Sequence, residues 1–210
     1  MALIAFDLDD TLFPEMDFVR SAYRSIASRY GLGLLPAMMT AFTPREAFDS
    51  TGLPSDTVIS HYRKHRPDIR LPWQSLHALA TLRNAGHIIA LVTDGRSVTQ
   101  RNKIEALGLG RFVESDDIYI SEEFGHPKTD GEAFRSLMMR HPGEACIYVG
   151  DNPAKDFAAP RSLGWITLCL LDSGQNIHPQ EFAGYRTAEL PDLTIRSLME
   201  IPDLVRKKFS

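Results

Sequence analysis

The chain has 210 residues, 43% of them apolar and 24% charged, a length that suits one hydrophobic core carrying an insertion. Its 23 Lys and Arg are outweighed by 27 Asp and Glu, for a formal charge of -4, which leaves no basic footprint for nucleic acid. The basic runs Arg63-Lys64-His65-Arg66 and Arg206-Lys207-Lys208 read as solvated helix faces or ends. The two cysteines, Cys146 and Cys169, stand far apart in apolar segments and read as buried core thiols, which argues against a disulfide framework or a zinc site. The N-terminal apolar run stops at Asp7, too short for a signal peptide, and no other stretch is long enough to span a bilayer, so the expectation is a cytoplasmic protein with no membrane partner.

Taken in chain order, Leu3-Ile4-Ala5-Phe6 has the form of a buried strand running straight into Asp7-Leu8-Asp9-Asp10-Thr11. Three carboxylates within four positions repel one another and raise each other's pKa unless a cation holds them. A helical pattern follows: Met16, Phe18, Val19, Ala22, Tyr23, Ile26, Ala27 and Tyr30 recur at three- and four-residue spacing, and Gly31 supplies a stop. Thr43-Pro44-Arg45-Glu46 has the form of a capping box with Pro at the first helical position. Ser55-Asp56 can open a helix through Val58, Ile59 and Tyr62, and Pro72 a further one through Leu76, Leu79 and Leu82 that Gly86 closes.

From His87 the rhythm changes to short apolar runs alternating with amphipathic helices. Ile88 to Val92, Ile118 to Ile120, Cys146 to Val149 and Trp165 to Leu171 read as strands, with helices at about 97–107, about 130–140 and up to Leu163. This alternation predicts a doubly wound parallel α/β sheet covered on both faces, built from residues 1–13 and 87–210, with a helical insertion over 14–86. In such sheets ligands sit beyond the carboxyl ends of the strands, where the strand order reverses. The polar residues there are Asp7 and Asp9, Thr93, Lys128 in a loop, and Asp151 with Asp156. Three carboxylates suit a hard divalent cation such as Mg²⁺. A hydroxyl and an ammonium suit phosphoryl oxygens, and a remaining carboxylate can attack phosphorus.

In order and spacing, Asp7-Leu8-Asp9-Asp10-Thr11, Leu91-Val92-Thr93, Lys128, and Gly150-Asp151 followed by Asp156 resemble the four motifs of the haloacid dehalogenase-like hydrolase superfamily. The insertion falls where members with a small helical cap carry theirs. The resemblance implies a Mg²⁺-dependent phosphatase acting on a small phosphorylated metabolite, as a monomer or homodimer. In that role Asp7 is the nucleophile that forms an aspartyl-phosphate, and Asp9 protonates the leaving alcohol and then activates water. Thr93 and Lys128 hold the phosphoryl oxygens. The metal lies on Asp7, the backbone carbonyl of Asp9 and Asp151, with Asp156 orienting metal-bound water or the Lys. Asp94 and Lys155 depart from the commonest pattern, and Lys128 follows a proline where members often have one after it.

Other reactions are compatible with the same residues. A sugar-phosphate mutase uses the same set, whereas a haloacid dehalogenase has no need of an acid at Asp9. A phosphate-accepting receiver module also combines an acidic cluster, a Thr and a Lys, but there the acceptor follows a later strand. A catalytically silent interaction module would tolerate loss of Asp7, Asp9 or Lys128, and all three are present.

Overall fold

The computed structural model describes residues 1–209. Six strands, β1 (Ala2–Phe6), β2 (Ile88–Thr93), β3 (Ile118–Ile120), β4 (Ala145–Gly150), β5 (Ile166–Leu170) and β6 (Leu193–Ile195), form one sheet in the order β3-β2-β1-β4-β5-β6. Every pairing is parallel, with Leu3 opposite both Ile88 and Cys146, and Phe6 opposite Leu91 and Val149. The expected doubly wound α/β core is thus present, with β1 and β4 at its centre.

β1 shows why a parallel central strand reads as an unbroken apolar run. Side chains alternate across a strand, so Ala2, Ile4 and Phe6 enter one core cluster while Leu3 and Ala5 enter another on the opposite face. The second cluster is built around Phe134, Tyr148 and Trp165, whose rings meet edge to face at centroid distances of 4.9 Å and 5.3 Å. Each such buried aromatic or large aliphatic side chain contributes roughly 1.5–3 kcal/mol relative to an exposed one.

Between β1 and β2 lie five helices: α1 (Glu15–Tyr30), α2 (Leu35–Thr40), α3 (Pro44–Asp49), α4 (Ser55–Lys64) and α5 (Trp73–Asn84). Thr43 caps α3 by accepting the Glu46 N–H at 3.2 Å, but the Glu46 carboxylate reaches back to the Phe42 N–H, one residue before the cap. Val19, Tyr23, Ile26, Met38, Ala47 and Val58 give α1–α4 a small core of their own. α5 behaves differently: its Ala78, Leu79 and Leu82 lie in the cluster beneath the sheet with Ile89 and Leu91. Its apolar positions resemble those of the preceding helices, so periodicity alone gave no reason to separate it from the 14–86 insertion.

The remaining helices are α6 (Ser97–Ala106), α7 (Ser121–Phe124), α8 (Glu132–Arg140), α9 (Ala158–Ser162) and α10 (Ile201–Phe209). Cys169 is buried and Cys146 half-buried, and neither is in a disulfide. No described helix is long and apolar enough to cross a membrane. β6, with only three residues, has no apolar run that would announce it. A long connection over 171–192 separates it from β5, and Ile177 in that connection packs against the α1–α4 core.

Candidate active site

The hydrogen-bond ladder between β1 and β4 continues one residue past β1, as the Asp7 N–H donates to the Val149 carbonyl at 2.8 Å. This fixes the Asp7 backbone. Buried Leu8, Leu12 and Phe13 then anchor the following loop in the core, so its acidic residues turn toward the strand ends. Asp10 occupies the left-handed region at φ 53°. Its carboxylate accepts the N–H groups of Glu15 at 2.8 Å and Ile177 at 2.9 Å, tying the start of α1 to the 171–192 connection.

Asp7, Asp9, Thr93, Lys128 and Asp151, drawn from separate parts of the chain, line one cavity of about 150 Å³. Lys128 is buried; its Nζ lies 2.9 Å from Asp7 Oδ2, 2.7 Å from Asp156 Oδ1 and 3.3 Å from the Tyr148 hydroxyl. Burial works against its charge, but Asp156 and Asp7 outweigh that and hold the ammonium well above its usual range. Asp94 also lines the cavity, and its Oδ1 accepts the Lys128 backbone N–H at 3.0 Å. The residue that departs from the family pattern therefore fixes the loop carrying the lysine. Lys155 stands exposed at the rim.

Asp156 is fully buried and its oxygens are taken up by four donors. Oδ1 accepts from Lys128 and, at 3.1 Å, from Tyr148; Oδ2 accepts the backbone N–H groups of Asp151 at 3.1 Å and Asn152 at 2.8 Å. This close approach requires Gly150, where a Cβ would stand 2.5 Å from Asp156 Oδ2. Asp151 accepts from the Thr11 hydroxyl at 3.2 Å and the Asn176 amide at 2.8 Å.

Carboxylate oxygens of Asp7, Asp151 and Asp156 lie within 4.8 Å of one another. Burial pushes the Asp7 carboxyl up to about 7; Lys128 opposes the rise, while Asp156 and Asp9 add to it. Burial likewise raises Asp151 to about 8, with the charges of Asp7 and Asp156 adding to it. One ammonium does not neutralise this group, and its donors are all hard oxygens, so the residues fit a divalent cation of the Mg²⁺ type. Asp7 and Asp151 open onto the cavity, whereas Asp156 is occupied by its four donors.

Several residues of the site carry no motif and escaped sequence reasoning. Tyr148 looks like a core aromatic, and Asn176 and His178 lie in the 171–192 connection, which has no periodicity. Glu15, raised to about 7 by burial and by Asp9, sits at the first position of α1 and lines the cavity. Gln100 and Lys103 on α6 both contact Asp9. Sequence offered no signal for them: the burial of Thr99, Gln100 and Lys103 on α6 is visible only in the structure.

The haloacid dehalogenase-like hydrolase family model matches residues 4–169. The chain is similar to glyceraldehyde 3-phosphate phosphatase of Methanocaldococcus jannaschii, 28% identical over 97% of this chain and 96% of that protein. It is also similar to phosphoserine phosphatase of Thermus thermophilus, 32% identical over 59% of this chain and 46% of that one. Among solved structures, the hydrolase YfnB of Bacillus subtilis, bound to magnesium, superposes with a TM-score of 0.68 at 21% identity, covering 97% of this chain and 98% of that one.

Proposed function

The chain belongs to the haloacid dehalogenase-like hydrolase family and is a hydrolase of phosphate esters, and on that premise we propose that it dephosphorylates a small metabolite through a phosphoenzyme formed on Asp7. The observation that carries this reading is the Lys128 ammonium, 2.9 Å from Asp7 Oδ2, on a cavity that Asp9 and Thr93 also line. A nucleophile, a proton carrier and two phosphoryl-binding groups then face one reacting centre.

Asp7 attacks phosphorus, and the bond to the alcohol oxygen breaks as Asp9 gives that oxygen its proton. Asp9, now a carboxylate, takes a proton from water as the water oxygen attacks the same phosphorus, which releases phosphate and restores Asp7. Lys128 and the Thr93 hydroxyl hold the non-bridging oxygens through both displacements. Asp156 fixes Lys128 and the backbone of residues 151–152, so it positions the site without touching substrate. Asp7, Asp151 and the backbone carbonyl of Asp9 would hold Mg²⁺, whose charge offsets the repulsion between these carboxylates and an incoming phosphate dianion.

We assign α1–α4 to a helical cap over this cavity and group α5 with the core, because Leu79 and Leu82 lie in the cluster beneath the sheet. The compounds named in the two relatives' activities make three-carbon phosphomonoesters the first substrates to try. The test is phosphate release, with and without Mg²⁺, over glyceraldehyde 3-phosphate, phosphoserine, other sugar phosphates, nucleotides and an aryl phosphate. Metal-dependent release from at least one is expected. No release from any of them overturns the assignment.

A further inference from the structure

We propose that Gln100 and Lys103, one turn apart on α6, are positioning residues that grip both oxygens of the Asp9 carboxylate and so aim the proton carrier; this rests on the phosphatase reading above. Lys103 Nζ lies 2.7 Å from Asp9 Oδ1, and Gln100 Nε2 lies 3.0 Å from Asp9 Oδ2. Residues three apart on a helix share a face, which lets one helix address both oxygens.

The same Gln100 amide nitrogen is 2.7 Å from Thr93 Oγ1 and 3.3 Å from the Asp94 carbonyl. It therefore ties the proton carrier to the phosphoryl-binding hydroxyl at a set separation. Space for this amide comes from Gly95, at φ +148°, where a Cβ would stand 3.1 Å from Gln100 Cγ and Cδ.

Lys103 has little freedom to be elsewhere. It is 2% exposed, its Nζ lies 4.4 Å above the Phe18 ring and 5.9 Å from that of Phe13, and its other carboxylate, Glu15, is 3.9 Å away. Taking an ammonium out of water is costly, and a well-packed apolar side chain serves stability as well or better. A cation kept here at that cost is explained by what it does to Asp9. Asp9 has to serve two displacements at one phosphorus, giving up a proton in the first and recovering one in the second. Lys103 and Gln100 exchange no proton; they return the carboxylate to the same place for each.

The test compares Lys103→Met and Gln100→Leu with the parent protein, using phosphate release for kcat and KM and competitive inhibition by inorganic phosphate for Ki. Displacing a catalytic group by about 1 Å costs on the order of 100-fold. Each variant is therefore expected to lose roughly 10- to 100-fold in kcat, with the phosphate Ki of Lys103→Met within about threefold because Thr93 and Lys128 remain; Gln100→Leu also releases the Thr93 hydroxyl, so its kcat loss should exceed its loss of phosphate affinity by at least about threefold. If Lys103→Met does not fold, Gln100→Leu carries the same comparison. Adding Asp9→Asn supplies a second readout: the α6 substitutions should cost little more once the carboxylate they hold is gone. Turnover within about threefold of the parent, or a kcat loss matched by an equal loss of phosphate affinity, overturns the proposal. A parent protein that releases no phosphate refutes the phosphatase reading itself, whereas an active parent with unimpaired variants refutes only the role of α6.

Discussion

Replacing Asp7 by Asn removes the attacking oxygen and one buried charge, and the two consequences are separately measurable. Turnover should vanish. The Asp7 carboxyl stands at about 7 instead of its ordinary 3.8, a rise of roughly three pH units, each equivalent to about 1.4 kcal/mol. The folded protein holds this proton more tightly than the unfolded chain. Its contribution to the stability of metal-free protein is therefore fully present below about pH 4 and is lost as pH climbs to about 7. Of the total, about 4 kcal/mol, roughly half falls between pH 5.5 and pH 8. Asn keeps an acceptor for the Leu8 N–H, which donates to Asp7 Oδ1 at 2.7 Å, and has no proton to lose. The melting temperature of Asp7→Asn minus that of the parent, in chelator, should therefore rise by roughly 4–8 °C from pH 5.5 to pH 8, at about 2–4 °C per kcal/mol for a chain of this size. A variant that still turns over refutes the nucleophile. A melting difference that does not change with pH refutes the electrostatic account.

Lys128→Met leaves Asp7 and the fully buried Asp156 without their cation; breaking such a pair costs about 3–5 kcal/mol, so thermal melts should drop by roughly 6–20 °C. Gly150→Ala drives a Cβ to 2.5 Å from Asp156 Oδ2; the strain, about 1–3 kcal/mol, and the displaced lysine should lower both melting temperature and turnover, and normal values for both would show that the contact is dispensable. Mg²⁺ should raise the melting temperature more near pH 8 than near pH 6, because Asp7 and Asp151, at about 7 and about 8, must shed protons to bind it; equal increments at the two pH values would argue against these ligands.

Asp7, Asp9, Thr93 and Asp151 were legible because a parallel sheet puts every strand's carboxyl end on one edge, whereas Lys128, in a loop beyond β3, was legible only through its place in the order of the motifs. Once β1, β2 and β4 are recognised, the residues following them are neighbours. Asp10 adopts a left-handed conformation, and its carboxylate joins α1 to the 171–192 connection. That connection contributes Asn176 to Asp151 and His178 to the cavity, and nothing in its pattern foretold where it would lie, since loop residues are placed by the elements they cross. The packing of α5 against Ile89 and Leu91 was likewise illegible: Leu76, Leu79 and Leu82 declare an apolar face but not which core it meets.

The sequence by itself determined strands β1 to β5, the carboxyl edge they share and the motif residues Asp7, Asp9, Thr93 and Asp151 that line the cavity there, because strand alternation and chain order are local properties written residue by residue. Only the tertiary structure decided how those residues are held. The Lys128 and Tyr148 donors on Asp156, the amide of Gln100 between Thr93 and Asp9, and the buried ammonium of Lys103 are contacts between side chains up to 94 positions apart. Their geometry depends on how helices seat against the sheet, and no short motif encodes that.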